Sequence, residues 1–394
     1  MTTTVNSIDK IFIQELEKIL GKPQSPIPLH EPEFSGNEWT LLKNCLDSTF
    51  VSSIGEYTNQ FEVMLTEYTG AKYAVAVVNG TAALHISLML AGVKLGDEVL
   101  VPALSFVATA NAVSHCGAIP HFVDSELNTM GMDPWALEEY LSKIGEVTSQ
   151  GMINIKTGRR IAAIVPMHTY GHPMNIESLL NLAERYGLPV VEDAAESLGS
   201  TYQGRHTGNF GLIGILSFNG NKIITTGGGG AILTNNAELA RQAKHLTTTA
   251  KKPHPWEILH DSVAWNYRLP NINAALGCAQ MERLSLFLAK KRELAARYQR
   301  IFANGDQYTF VNEPQGCCSN YWLNTIRLNK PDISTRDDLI AKANAAGYQC
   351  RPAWGLLHKL PMYKDCPRSS LPIAERLEAS LINLPSSPKL LSVT

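Results

Sequence analysis

Between residues 73 and 234, short apolar runs alternate with segments whose apolar residues recur at helical spacing. YAVAVV (73–78), rich in valine and ending at Asn79-Gly80, reads as a buried strand. TAALHISLMLAG (81–92) then reads as a helix that starts near Thr81 and closes at Gly92. The pair recurs in EVLVPAL (98–104) and FVATANAVSHCG (106–117), and IPHFVD (119–124) is a third strand ending on an acid. After a helix near 134–143 and a polar interval come a strand in RIAAIVPMH (160–168), a helix in NIESLLNLAERYG (175–187) and a strand in LPVVEDAA (188–195). GILSFN and GGAILTNN supply further strands. This alternation predicts an α/β fold, a large and mostly parallel sheet with helices on both faces. Ligands of such sheets bind beyond the carboxyl ends of the strands, where Gly80, Asp124, His168 and Asp193 all stand.

Past residue 255 the pattern changes. NINAALGCAQMERLSLFLAKKRELAARYQRIF (271–302) is one long helical segment, and WLNTIRL, a helix near 336–346 and YQCRPAW suggest a smaller α+β unit. The predicted division is an N-terminal arm (1–34), a large domain (35–255) and a small C-terminal domain (256–394).

Composition narrows the classes. With 44% apolar and 18% charged residues and a formal charge of −2, the 394-residue chain suits a globular enzyme and not a binder of nucleic acid. No run reaches ~18 apolar residues, so no membrane span is expected, and the N-terminus lacks a signal-peptide pattern. Seven cysteines without CxxC spacing point to reduced thiols and away from zinc. A cytoplasmic protein is the expectation.

Four features carry possible chemistry. NGTAAL (79–84) opens a helix after a strand, so the free amides of its turn, with the Thr81 hydroxyl, can hold an anion; a capped helix without a ligand is the plainer account. Asp193, just past an apolar strand, can pair with a cationic ring nitrogen or cap the next segment. Phe106 can stack on a planar ring or fill the core. In SFNGNKIITTGGGG (217–230), Ser217 precedes Lys222 by five residues, amid small turn residues and four glycines. An ordinary lysine is protonated at neutral pH, and burial or a nearby positive charge frees the amine for Schiff-base chemistry. An exposed loop lysine is the alternative. Taken in order, these features match one cofactor, pyridoxal 5′-phosphate, held at its phosphate, ring face, ring nitrogen and aldehyde.

On NGTAALHISL, GDEVLVPALSFVATANAV, MHTYGHP, VEDAAESLGS, SFNGNKIITTGGGG and WNYRLPNINAALGCAQ the chain resembles the DegT/DnrJ/StrS family of nucleotide-sugar aminotransferases. CRPAWGLLHKLPMY (350–363) and LINLPSSP (381–388) extend the likeness. The resemblance implies the aspartate aminotransferase-like fold (fold type I) and a homodimer with shared active sites. It also implies transfer of an amino group from L-glutamate to C4 of a 4-keto-6-deoxy nucleotide sugar for bacterial surface glycans. A UDP-linked 2-acetamido sugar of the legionaminic or bacillosamine type comes first, and GDP-4-keto-6-deoxymannose, as in perosamine synthases, second. It gives Lys222 the covalent and acid/base role, Asp193 the pyridinium nitrogen, Gly80, Thr81 and Ser217 the phosphate, and Phe106 the ring face. Glu196, where relatives often carry glutamine, lies beside the phenolic oxygen. Asn266 and Arg268 match a segment that reaches the neighbouring subunit's cofactor. His168, Arg268, Arg351, Trp354 and His358 are candidates for binding substrate. TTGGGG replaces the more usual TTGEGG at Gly228. A related sugar dehydratase would carry histidine at position 222, a regulator would need an added DNA-binding module, and a nicotinamide oxidoreductase would need GxGxxG.

Overall fold

The computed structural model describes residues 8–303 and 306–391. Seven strands form the central sheet: β1 (Tyr73–Val77), β2 (Glu98–Pro102), β3 (Ile119–Val123), β6 (Arg159–Ile164), β7 (Val191–Asp193), β10 (Ile213–Ser217) and β11 (Gly230–Thr234). Hydrogen bonding orders them β1-β11-β10-β7 and β3-β2-β6, and parallel bridges Ile164–Val190 and Met167–Asp193 join the two sets. Only β11 runs against its neighbours. β2 and β11 are buried along their whole length, as strands covered on both faces must be. The polar interval 145–154 folds as a hairpin, β4 (Gly145–Thr148) and β5 (Gly151–Asn154), added to the start of β6.

The helices are α1 (Ile8–Leu20), α2 (Glu38–Asp47), α3 (Glu56–Thr69), α4 (Gly80–Leu90), α5 (Val107–His115), α6 (Pro134–Ile144), α7 (Ile176–Arg185), α8 (Ala237–Thr247), α9 (Asn271–Phe302), α10 (Ile333–Ala345) and α11 (Pro372–Glu378). The smallest sheet joins β8 (Thr201–Tyr202), β9 (Arg205–His206) and β13 (Cys317–Cys318). The C-terminal sheet joins β12 (Tyr308–Phe310), β14 (Asn324–Leu328), β16 (Leu381–Leu384) and β15 (Arg351–Pro352), in that order.

α9 ties the two cores together. Its early residues Ala274, Cys278, Leu284 and Phe287 belong to the core around the central sheet. Leu294, Tyr298 and Phe302, farther along, join a second core with Ile326 and Tyr348. The segment expected as an arm is folded into that second core: Phe12 and Leu16, one turn apart on α1, are fully buried there. The first seven residues of the expected arm lie outside the described residues.

Candidate functional site

Three pieces of backbone meet where β1 hands over to α4. Asn79 caps the helix, its side chain accepting from Ala82 N at 2.8 Å and its carbonyl from Ala83 N at 3.1 Å. This leaves the Gly80 and Thr81 amides without a partner among the described residues, at the positive end of the helix dipole. The end of β10 closes one side: a Cβ on Gly80 would lie 3.1 Å from Ser217 Cβ. β11 closes the other: a Cβ on Gly230 would lie 2.6 Å from the Asn79 carbonyl carbon. Gly230 is therefore required by packing. The glycine run is also less loose than its composition suggests, since Phe218 N donates to Gly229 O at 2.8 Å and Thr226 N to Phe218 O at 3.0 Å.

From that pinned turn Lys222 points inward, its side chain 13% exposed, and Nζ donates to Glu196 Oε1 at 3.2 Å. Nζ also lies 3.9 Å from the centre of the Trp322 ring, a cation–π contact. Trp322 is held by its indole N–H, which donates to the Asn221 carbonyl at 2.7 Å. Glu196 Oε2 accepts from Tyr170 N at 2.9 Å. Burial pushes the Glu196 carboxyl up to about 7, against the opposing pull of the Lys222 charge. Tyr170 sits at φ +55°, a left-handed conformation rare for an aromatic residue. Its amide bond to Glu196 and its buried ring, 4.7 Å from the Trp354 ring centre, hold it there. Such local strain is concentrated at functional sites.

Asp193 ends β7 and is buried. Oδ2 accepts from Thr109 Oγ1 at 2.8 Å and Oδ1 from Ala195 N at 3.2 Å. Burial raises its carboxyl, and the Thr109 and Ala195 hydrogen bonds with the Lys222 charge oppose the rise. A cationic ring nitrogen at this oxygen would find a carboxylate already held in place and short of counter-charge. Phe106, at the start of α5, is 49% exposed and meets Trp354 edge-on at 6.4 Å. Glu196 touches the lysine and Asp193 lies within reach of its charge; Gly80 packs on Ser217 at the end of β10, and Phe106 meets Trp354, which lines a cavity with Asn221 and Trp322. An anion, a basic planar ring and a carbonyl could be held together here.

Other candidates are placed differently. His168 is fully buried with both ring nitrogens engaged, Nε2 with Glu192 at 3.1 Å and Nδ1 accepting from Met174 N at 3.2 Å. It fastens the end of β6 to the loop beyond and has no nitrogen left for a substrate. Arg268 is likewise turned into the protein, bonded to Glu62 and to the Ala76 carbonyl. His358 packs on a short 3-10 turn anchored by Leu357 N to Ala103 O at 2.9 Å, and lines no part of the cavity beside Lys222. Arg351 and Trp354 do line that cavity. Asn266 is exposed, its backbone paired with Thr248.

Sequence reasoning missed Thr109, Tyr170 and Trp322. Thr109 was readable, three residues after Phe106 and so on the same helix face. Tyr170 lies inside MHTYGHP, but nothing local announces its conformation. Trp322 comes from the distant bend before β14 and carries no local sign.

The DegT/DnrJ/EryC1/StrS aminotransferase family model matches residues 33–393. The chain is 36% identical to a GDP-perosamine synthase from Caulobacter vibrioides, covering 91% of this chain and 93% of that protein. It is 37% identical to a GDP-perosamine synthase from Escherichia coli O157:H7, covering 92% and 94%. Among solved structures, the aminotransferase TlmJ from Streptoalloteichus hindustanus superimposes with a TM-score of 0.84 at 29% identity, covering 93% and 95%. Helicobacter pylori PseC, an aminotransferase of pseudaminic acid biosynthesis, gives 0.83 at 26% identity, covering 91% and 93%.

Proposed function

Because this chain belongs to the DegT/DnrJ/EryC1/StrS aminotransferase family, whose enzymes share the fold type I architecture and work with pyridoxal 5′-phosphate, we propose that it moves an amino group from L-glutamate to C4 of a 4-keto-6-deoxy nucleotide sugar. What supports the reading is Lys222 paired with the buried Glu196 within reach of the buried Asp193, together with the Gly80 and Thr81 amides beside Ser217, which have no partner among the described residues.

The residues fit the cofactor. The Gly80 and Thr81 amides and the Ser217 hydroxyl would take the phosphate, and the closeness of Gly80 to Ser217 leaves no room for a side chain between them. Asp193 would keep the ring nitrogen protonated, with Thr109 fixing the carboxylate. Phe106 would cover the ring. When bound, the cofactor supplies an electron sink for the carbanion at the reacting carbon. Lys222 Nζ would hold the cofactor covalently at rest, then take the proton from the donor's α-carbon and return it at C4′. The same transfer runs in reverse with the keto sugar. Glu196 accepts a hydrogen bond from Nζ and orients it between these roles. Replacing Lys222 with alanine should abolish turnover and the absorbance of the covalently bound cofactor; a turning-over variant would overthrow the assignment.

The two GDP-perosamine synthases favour a GDP-linked 4-keto-6-deoxymannose over the UDP-linked 2-acetamido sugar placed first by the sequence. The motifs shared with legionaminic and bacillosamine-type enzymes keep the UDP-linked sugar as the second reading. The test is amination of both sugars with glutamate as donor, read by mass spectrometry. Product from the GDP sugar alone supports the first reading, and product from the UDP sugar alone replaces it with the second. A homodimer with Asn266 reaching the neighbouring cofactor's phosphate completes the proposal.

A further inference from the structure

Between β13 and β14 the chain has no regular structure over residues 319–323, yet it is fastened almost residue by residue. Ser319 Oγ donates to Gly171 O at 2.9 Å, and Asn320 N to Ser200 Oγ at 2.9 Å. Tyr321 takes a left-handed φ of +47°. Trp322 N donates to Asn320 Oδ1 at 2.8 Å, and the Trp322 carbonyl accepts from Lys291 Nζ at 3.1 Å. Lys291 is fully buried in α9, donates also to the Ser386 carbonyl, and pairs with no carboxylate among the described residues.

These ties converge on one ring. A core tryptophan needs only apolar neighbours, but Trp322 is fixed at its amide, its carbonyl and its indole N–H, and its face is turned to an amine. Asn320 extends the anchor to the other side of that amine, because its Nδ2 donates to Glu196 O at 2.9 Å and to Leu198 O at 2.9 Å. The Trp322 ring and the Glu196 carboxyl, both against Lys222 Nζ, therefore hang on a single buried amide.

In the transfer proposed above, Nζ takes a proton from the donor's α-carbon. The C–H bond breaks, its electron pair passes into the sink supplied by the bound cofactor, and Nζ is an ammonium until it gives the proton to C4′. Positive charge thus develops on Nζ as the proton moves. The negative face of an indole attracts such a charge, most strongly where water is excluded.

We propose that Trp322 is a positioning residue for the proton transfer, its ring face holding Lys222 Nζ and stabilising the ammonium that forms there. The inference rests on the role given to Lys222 above and adds the surface against which that amine works.

The test reads the cofactor's absorbance change when glutamate is added to the loaded enzyme. Trp322→Leu should slow it about 10–30-fold, and Trp322→Phe, which keeps a weaker ring face, should fall between. Mono-, di- and trifluorotryptophan placed at position 322 keep the shape and progressively weaken the face, so they remain informative where leucine disturbs folding. The rate should drop stepwise, about 2–3-fold per fluorine. With glutamate deuterated at the α-carbon, the isotope effect in the slowed proteins should be no smaller than in the native enzyme. A rate that ignores fluorination overturns the proposal, since the ring would then act by shape alone. An isotope effect that collapses toward 1 also overturns it, because a step other than proton transfer would have been slowed. Turnover by Lys222→Ala overturns the lysine assignment itself, and that control is read first.

Discussion

Glu196 and Asp193 are both buried carboxyls three residues apart, yet their surroundings set them to different tasks. Asp193 has two hydrogen-bond donors on its carboxylate, whereas Glu196 relies on one amide and the Lys222 ammonium and titrates near 7. The pH consequence has a definite sign. The folded-state value of about 7 lies above the ordinary 4.5, so the stability linked to this proton is complete below about 4.5 and is lost as pH rises through 7. Glutamine cannot titrate and keeps the contact to Tyr170 N through its carbonyl oxygen. In protein stripped of cofactor, the melting temperature of Glu196→Gln relative to the native chain should therefore rise between pH 5 and pH 8; a constant difference would mean that this carboxyl does not titrate in that range. Thr109 offers a second check. Thr109→Val keeps the shape but removes the hydroxyl facing Asp193. Urea denaturation should register a loss of about 1–3 kcal/mol from the unpaired carboxylate oxygen.

At the scale of elements, the turn proposed to take the phosphate is a junction between β1, α4, β10 and β11, and Gly80 and Gly230 let their backbones touch. Gly230→Ala places a methyl against the fixed Asn79 backbone, with no flexible side chain to give way. It should cost about 1–3 kcal/mol, and by displacing the α4 terminus it should weaken cofactor binding, measured by titration of the stripped enzyme, on the order of tenfold. Gly228 is different: its Cβ would meet only the Val78 carbonyl, at an ordinary 3.7 Å. Gly228→Glu, the residue more usual in relatives, should bind cofactor within about twofold of the native chain. The junction also explains what could be read in advance. Asp193, Ser217 and Lys222 stand at or just beyond strand ends, and the alternation that predicts the strands predicts those ends as well. His168 has the same address, but whether a strand-end histidine faces a ligand or a buried acid depends on Glu192, which only the folded register brings to it. Arg268 fails in the same way, because its partner Glu62 lies on α3, some 200 residues earlier in the chain. The hairpin 145–154 hid behind its polar residues, and α1 looked like an arm because its apolar stripe has no local partner. Trp322 reaches Lys222 from a far later part of the sequence, beyond the range of any local pattern.

For the whole molecule, the surface poses a question that one chain leaves open. Trp39 is 84% exposed, Trp256 80%, Ile258 71% and Val263 87%. Large apolar side chains left this bare are what association covers. Three of the four lie within ten residues of Asn266, which is itself exposed while its neighbour Arg268 is turned into the core. A dimer formed over this surface would bury the exposed rings and carry Asn266 to a second active site, so the two features have one explanation. That arrangement makes mixing decisive. A Lys222→Ala chain and an Asn266→Ala chain should each be inactive or severely impaired alone. Unfolded and refolded together, half of the dimers would be mixed, and each mixed dimer would have one site with both residues intact and one with neither. Roughly a quarter of native activity per site should return if an isologous dimer shares its sites. If every site is built from a single chain, the mixture should be no more active than the average of its parents, and the exposed apolar surface would need another partner.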